Sequence, residues 1–157
     1  MSIEQGTVDI TTTFTVPVAA VFAAWSQEAA QQAWGDPGPG WQMRFERFRF
    51  SIGESDICHF GPKSGPTYLN ENRYLDIVAD RRIAYASSLR EGGTLTFAGT
   101  VVVTFEPMEG GTRMRLIEQG VYFDGRDRVK DHREGWRSML EAMENYLQQN
   151  AFATLAS

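Results

Sequence analysis

The chain has 157 residues, 42% of them hydrophobic and 22% charged, which is typical of a globular protein the size of one domain. Its formal net charge of -5 disfavours binding to nucleic acids and to anionic membranes. No apolar run approaches the roughly 18 residues of a membrane span, and the beginning, MSIEQGTVDI, lacks a signal-peptide pattern. Cys58 is the only cysteine and there are two histidines, so neither a disulfide nor a Cys- or His-rich metal site is expected. We therefore expect a cytoplasmic protein with no metal, no cofactor, no nucleic-acid partner and no membrane insertion.

The first part of the chain predicts one strand and two short helices. Residues 7–16 alternate between apolar and polar side chains, which is typical of a half-buried strand. Pro17 ends this strand and suits the first turn of a helix over 17–26, whose apolar side includes Trp25. A second helix over 27–34 ends before the breaker-rich segment GDPGPG.

From Trp41 onward the hydrophobic period changes to two. Breaks rich in turn residues divide this stretch into strands near 41–50, 54–60, 67–79, 82–89, 94–106 and 112–122. The connections between them are short, so the strands are predicted to form an antiparallel meander.

The last segment predicts a long helix from about Arg126 to Ala151, with Asp124 as its N-terminal cap. A helix of that length spans roughly 38 Å, enough to cross a whole sheet. No internal repeat or linker interrupts the chain, so we expect a single domain over 1–157. One face of the helix carries the residues His132, Trp136, Met139, Leu140, Met143 and Leu147.

The inner faces of these elements carry bulky side chains that suit either a core or a pocket. Methionine and aromatic side chains at such positions fill cores more often than they line pockets, although both arrangements are apolar. Gly99 and Gly120 also face inward, where a glycine either leaves room or marks a bend of the sheet. The candidates for pocket walls are Trp25, Phe97, Phe105, Trp136, Met139 and Met143.

Glu118 is the least expected residue on the inner face, because an unpaired buried carboxylate is costly. Its candidate partners are His132, Arg73 and Tyr74. One interpretation is an acid/base pair of Glu118 and His132 with pKa values suited to proton transfer. The other, which we favour, is a buried hydrogen-bonded pair that fixes the helix on the sheet.

Four segments resemble the START-like (SRPBCC) superfamily: FTVPVAAVFAAWSQEAAQQAW, NENRYLDIVADRRIAYAS, VVVTFEPMEGGTRMRLIEQGVY and HREGWRSMLEAMENYL. Together they are most similar to single-domain proteins of the subgroup named for the activator of the heat-shock-protein-90 ATPase. The resemblance covers about residues 7–148. It implies an α+β helix-grip (Bet v-like) fold of order β-α-α-β6-α, in which a curved sheet of seven antiparallel strands wraps around the long C-terminal helix and encloses a hydrophobic cavity.

From the residues and the resemblance together we predict noncatalytic binding of a small apolar or aromatic ligand. A cyclase- or dehydratase-like enzyme, with Glu118 and His132 as its catalytic groups, is one alternative. A stress- or chaperone-linked interaction module is another, although nothing in the sequence marks a chaperone-binding surface. A homodimer formed through an exposed strand or through the outer threonine face of the sheet also stays open. The predicted ligand-binding residues are Trp25, Trp34, Phe97, Phe105, Glu118, His132, Trp136, Met139 and Met143.

Overall fold

A computed structural model describes residues 1–65 and 67–156, with side chains described as far as Ala151. The predicted order of one strand, two helices, six strands and one helix is confirmed. The elements are β1 (Ile3–Phe14), α1 (Val18–Ser26), α2 (Glu28–Trp34), β2 (Trp41–Arg47), β3 (Ser55–Pro62), β4 (Tyr68–Val78), β5 (Arg82–Glu91), β6 (Thr94–Met108), β7 (Gly111–Phe123) and α3 (Val129–Ala156).

The strands form one curved antiparallel sheet in the order β1-β7-β6-β5-β4-β3-β2. Its register places Glu118 of β7 between Val8 of β1 and Val101 of β6, and Val101 in turn pairs with Tyr85 of β5. All four are almost fully buried, because alternate residues of neighbouring strands share one face of a sheet. The alternation in the sequence therefore placed Glu118 correctly on the inner face.

The long helix begins three residues later than predicted, at Val129. Asp124 is not its cap, because Asp124 and Gly125 take positive φ angles of 58° and 67° and form a left-handed turn. The Asp124 carboxylate instead accepts a hydrogen bond from the Ser2 backbone N–H at 3.0 Å. The cap comes from another element: Glu4 of β1 accepts a hydrogen bond from the Val129 N–H at 2.8 Å. The start of α3 is thus attached to the edge strand of the sheet.

β1 runs from Ile3 to Phe14 rather than over 7–16, and two other strands depart from the predicted pattern for local reasons. β2 ends at Arg47 rather than near residue 50, because the Arg49 N–H donates to the buried Asp56 carboxylate at 2.6 Å and turns the chain out of the ladder. In β6, a bulge shifts the pairing from Leu89–Phe97 to Arg90–Leu95. The extra residue, Thr96, therefore points inward and is 4% exposed. Leu95, which was predicted to face inward with Phe97, is half-buried.

The closely packed core occupies the β1–β7–β6 side of the sheet. α1 packs against β6 and β7, and α3 packs against β1, α1 and α2. The inner faces of β2 to β5 receive less cover and face a cavity. None of the described helices has the length and apolar character needed to cross a membrane. Side chains typical of the packed part are Val21, Phe105, Met114, Leu116 and Met143.

Candidate functional site

A cavity of about 730 Å³ lies between the three helices and the inner faces of β2 to β5. Its volume falls in the range of about 300–1,000 Å³ that is usual for small-molecule sites. The cavity reaches the surface beside Asp36, Trp41, Asp131 and Ser138, which line it and are themselves exposed. Its walls divide into two aromatic groups, a polar strip and a charged cluster.

The helical wall is built from three tryptophans, one from each helix. Trp25 of α1 lies 5.1 Å from Trp34 of α2 and 6.1 Å from Trp136 of α3, measured between ring centroids. The Trp34 indole N–H donates to the Ala24 carbonyl at 2.7 Å, which fixes its ring. Large rings in edge-on or tilted contact stabilise one another beyond their burial, so these contacts stabilise the wall.

The opposite wall is an aromatic stack across the β2–β3–β4 part of the sheet. Antiparallel pairing places Phe60 opposite Tyr68, with ring centroids 5.3 Å apart. The next ring in the stack after Tyr68 is that of Trp41, with ring centroids 6.5 Å apart and an interplanar angle of 7°. Trp41 is 39% exposed, so the stack leads from the cavity to the surface. Flat side chains of this kind offer π faces to ring-shaped ligands.

Between the two walls runs a strip of neutral polar side chains. Asn70 and Asn72 of β4 donate to each other's side-chain carbonyls at 3.1 Å, and Ser87 of β5 donates to the Asn72 carbonyl at 2.7 Å. All three line the cavity. Because these groups hold one another, their remaining hydrogen-bonding positions point in fixed directions.

Glu118 and His132 form the pair that the alternation suggested, and two further residues complete the cluster. His132 Nδ1 lies 2.5 Å from Glu118 Oε1, and His132 Nε2 lies 2.6 Å from Asp127 Oδ2. The Trp136 indole N–H donates to Glu118 Oε2 at 3.0 Å. Both ring nitrogens of His132 are therefore held by carboxylates. Arg73 and Tyr74, the other candidate partners, make no described hydrogen bond to Glu118.

The two carboxylates keep His132 charged. Burial alone would lower its pKa, but the hydrogen bonds and negative charges of Asp127 and Glu118 outweigh burial and raise the pKa to about 9. The ring is then an imidazolium at neutral pH, and each N–H donates to one carboxylate. This arrangement ties α3 to the sheet, and it leaves the imidazole without a free nitrogen that could take up a proton.

A second buried acid lies on the β3–β4 side. The Tyr74 hydroxyl donates to Asp56, which is 2% exposed. Burial raises the pKa of Asp56, although the hydrogen bonds from Tyr74 and from the Arg49 N–H oppose this effect. Burial and nearby carboxylates also raise the pKa values of Tyr74 and Tyr85. Both phenols line the cavity in their neutral, hydrogen-bonding form.

The inward glycines make room for side chains of the protein itself. A Cβ on Gly120 would lie 2.5 Å from the Phe97 ring, and one on Gly99 would lie 2.8 Å from it. Phe97 therefore covers both glycines, with its ring centroid 4.5 Å from that of His132. Gly6 similarly accommodates Val129, the first residue of α3, whose Cβ would lie 2.6 Å from an added Cβ. These glycines therefore leave space, as one of the two expectations has it, but Phe97 fills that space; the other expectation, a bend of the sheet, stays a prediction.

The structure brings six of the nine predicted site residues to the cavity: Trp25, Trp34, Glu118, His132, Trp136 and Met139. Phe97, Phe105 and Met143 are not among the lining residues and belong to the packed interior. Phe105 lies under α1, with its ring 5.6 Å from Phe22, and Phe97 is enclosed by Tyr122 and His132. Met143 is fully buried because α3 meets the core at that point.

The family model described as Activator of Hsp90 ATPase homolog 1-like protein matches residues 15–148. The chain belongs to this family. Among solved structures, a Rhizobium leguminosarum protein is 30% identical, with a TM-score of 0.85 and coverage of 94% of this chain and 97% of the other. Mll3558 from Rhizobium loti is also 30% identical, with a TM-score of 0.83 and coverage of 92% and 99%. CV1439 from Chromobacterium violaceum, at 20% identity, 90% and 96% coverage and a TM-score of 0.79, shares the fold. No curated protein matches the chain.

Several residues that line the cavity were not predicted from the sequence. Alternation along β4 places Tyr68, Asn70, Asn72 and Tyr74 on one face, so assigning Tyr74 inward would have brought the two asparagines with it. Asparagine is also uncommon in strands, which was a second signal. Within the described part of the chain, no group of three or more His, Cys, Asp or Glu is arranged to hold a metal ion.

Proposed function

We propose that the protein reversibly binds a small, largely apolar, ring-containing ligand in the cavity between α3 and the sheet. The observation that carries this proposal is the space of about 730 Å³ over β2 to β5, which the helices leave unfilled. Protein interiors normally contain few voids larger than a water molecule. A space of this size beside aromatic walls and fixed amides is therefore more consistent with a binding site than with imperfect packing.

Gly135 supports the proposal from the helical side. It lies inside α3, lines the cavity, and a Cβ added to it would meet no atom within 4 Å. A glycine in a helix interior costs about 1 kcal/mol relative to alanine, and no neighbouring side chain here requires its small size. The open space beside Gly135 is therefore part of the volume available to a ligand, and one added methyl group would fill little of it.

The expected affinity is moderate. Burial of about 400 Å² of apolar surface at about 25 cal/mol per Å² contributes about 10 kcal/mol. Loss of translational and rotational freedom offsets at least about 4 kcal/mol of this. The remainder of at most about 6 kcal/mol corresponds to dissociation constants of tens of micromolar or weaker.

The alternative functions have less support. An acid/base enzyme would need an available proton acceptor, but both nitrogens of His132 contact carboxylates. A chaperone-binding surface would need a contiguous apolar patch. In the described ranges, the exposed large apolar side chains come from different parts of the chain: Met1, Ile3, Trp41, Ile52, Leu75 and Met108.

Titration with the neutral fluorophore N-phenyl-1-naphthylamine tests the proposal, with two variants at one position. Gly135→Ala adds only a methyl group and is expected to bind like the wild type. Gly135→Trp places an indole in the cavity and is expected to weaken binding about tenfold or more. Circular dichroism checks that both variants fold.

The result that contradicts the proposal is equally definite. If the wild type shows no saturable binding, or if Gly135→Trp binds as tightly as Gly135→Ala while folded, the cavity is not the binding site.

A further inference from the structure

We infer that the cavity selects its ligands by charge: it accepts neutral or cationic ring compounds and rejects carboxylates, sulfonates and phosphates. This inference rests on the proposed ligand-binding function and adds the chemical class of the ligand. Binding of an apolar ring compound does not by itself require any particular charge at the cavity, so the charge of the ligand is a separate question.

The charged residues that line the cavity are mainly acidic. They are Asp36, Glu118, Asp127 and Asp131, against Arg126 and His132 as the cations. A carboxylate or phosphate entering this space would meet more charges of its own sign than of the opposite sign. The repulsion is strongest near the shielded Glu118 and Asp127, and water weakens it at the exposed Asp36 and Asp131.

Both cations already pair with protein carboxylates. His132 is held between Glu118 and Asp127 at 2.5 and 2.6 Å. Arg126 pairs with Glu91 at 3.5 Å, in a contact where both side chains are partly exposed. An anionic ligand would therefore have to compete with protein carboxylates for each positive charge. A buried anion without such a partner pays its full desolvation cost.

The remaining polar groups suit a neutral or cationic ligand. The amides of Asn70 and Asn72 and the hydroxyl of Ser87 can donate to or accept from an uncharged polar group. The π faces of Trp41 and Tyr68 attract positive charge, because the face of an aromatic ring carries negative potential. The same aromatic stack offers no comparable attraction to an anion.

The experiment compares two probes that differ by one group. N-phenyl-1-naphthylamine is neutral, and 8-anilinonaphthalene-1-sulfonate has the same rings with one sulfonate. The neutral probe is also more apolar, and this difference alone is expected to make it bind more tightly. The ratio of the two dissociation constants in the wild type therefore serves only as the reference for the variants. The informative quantity is the change of this ratio in variants that remove charge.

The test variant is Asp36→Asn with Asp131→Asn, which removes two negative charges at the cavity mouth and keeps side chains of nearly equal size. Asn at position 36 can still accept the hydrogen bond that Asp36 receives from the Gly38 N–H at 2.9 Å. The control is Glu71→Gln with Glu109→Gln, which makes the same change in net charge at exposed residues outside the cavity lining.

The sulfonate probe is expected to bind about tenfold or more weakly than the neutral probe in the wild type. The ratio should fall at least about threefold in the mouth variant and stay constant in the control. An unchanged ratio in the mouth variant, or an equal change in the control, overturns the charge selection and leaves ligand binding intact. If neither probe binds any of these proteins, the proposed function fails and the inference fails with it.

Discussion

The charged state of His132 makes a quantitative prediction about stability against pH. A rise in its pKa from the ordinary 6.5 to about 9 means that folding favours the protonated ring. The corresponding stabilisation is about 3 kcal/mol. It is fully present below pH 6.5 and is lost as the pH rises through about 9. The side chain of His132 is only 10% exposed, so solvent screening removes little of this energy.

The assay is urea unfolding of the wild type and His132→Gln at about pH 6 and about pH 9.5. The wild type should lose about 3 kcal/mol more between these two pH values than the variant does. Cys58 also destabilises the fold at high pH, because burial raises the pKa of its thiol to about 11. Both proteins contain Cys58, so its contribution cancels in the difference.

A second measurement covers the case in which His132→Gln does not fold. The chain has two histidines, so an NMR pH titration of the wild type follows two imidazole rings. His59→Gln identifies the remaining signal as His132, which should titrate near pH 9. If His132 titrates near 6.5, or if the wild type and variant lose equal stability, the two carboxylates do not hold a charged ring and the reasoning is refuted.

Three further predictions concern the packing of a glycine, the cap of a helix and the reactivity of a buried thiol. Gly120→Ala should destabilise the fold by about 1–3 kcal/mol in urea unfolding, because the new Cβ would lie 2.5 Å from the Phe97 ring; a neutral effect would show that Phe97 moves freely. Glu4→Ala should cost about 0.5–2 kcal/mol, since it removes the cap on the Val129 N–H, and Glu4→Gln should recover part of the loss. Burial raises the pKa of the Cys58 thiol to about 11, so alkylation of Cys58 near pH 8 should be slow. Because Cys58 also lines the cavity, bound N-phenyl-1-naphthylamine should slow the alkylation further. Rapid, unprotected alkylation would contradict the placement of this thiol.

The order of elements was predictable because each has a clear hydrophobic period. Period two along β7 placed Glu118 inward, and helical spacing placed His132 and Trp136 on the side of α3 that meets it. These inferences need only the geometry of a strand and a helix.

What could not be predicted depends on contacts between distant parts of the chain. Asp127 completes the cluster from a turn whose path is set by the left-handed conformation at Asp124. The bulge that turns Thr96 inward depends on the pairing of β6 with β5. Phe105 was predicted to line the cavity, because the sequence of β6 alone does not indicate that α1 packs over this residue.

The position of β2 at the end of the strand order has a mechanical consequence. β2 forms ladder hydrogen bonds with β3 on one side, whereas the opposite margin of the sheet is pinned by Glu4 and the start of α3. Trp41 lies on this edge strand, which is also held by the Gln32 side chain of α2 through a hydrogen bond to the Met43 carbonyl at 2.9 Å. A ligand larger than the cavity would therefore be accommodated by outward displacement of β2, at the cost of one ladder and this hydrogen bond, while the tryptophans of the helical wall keep their places.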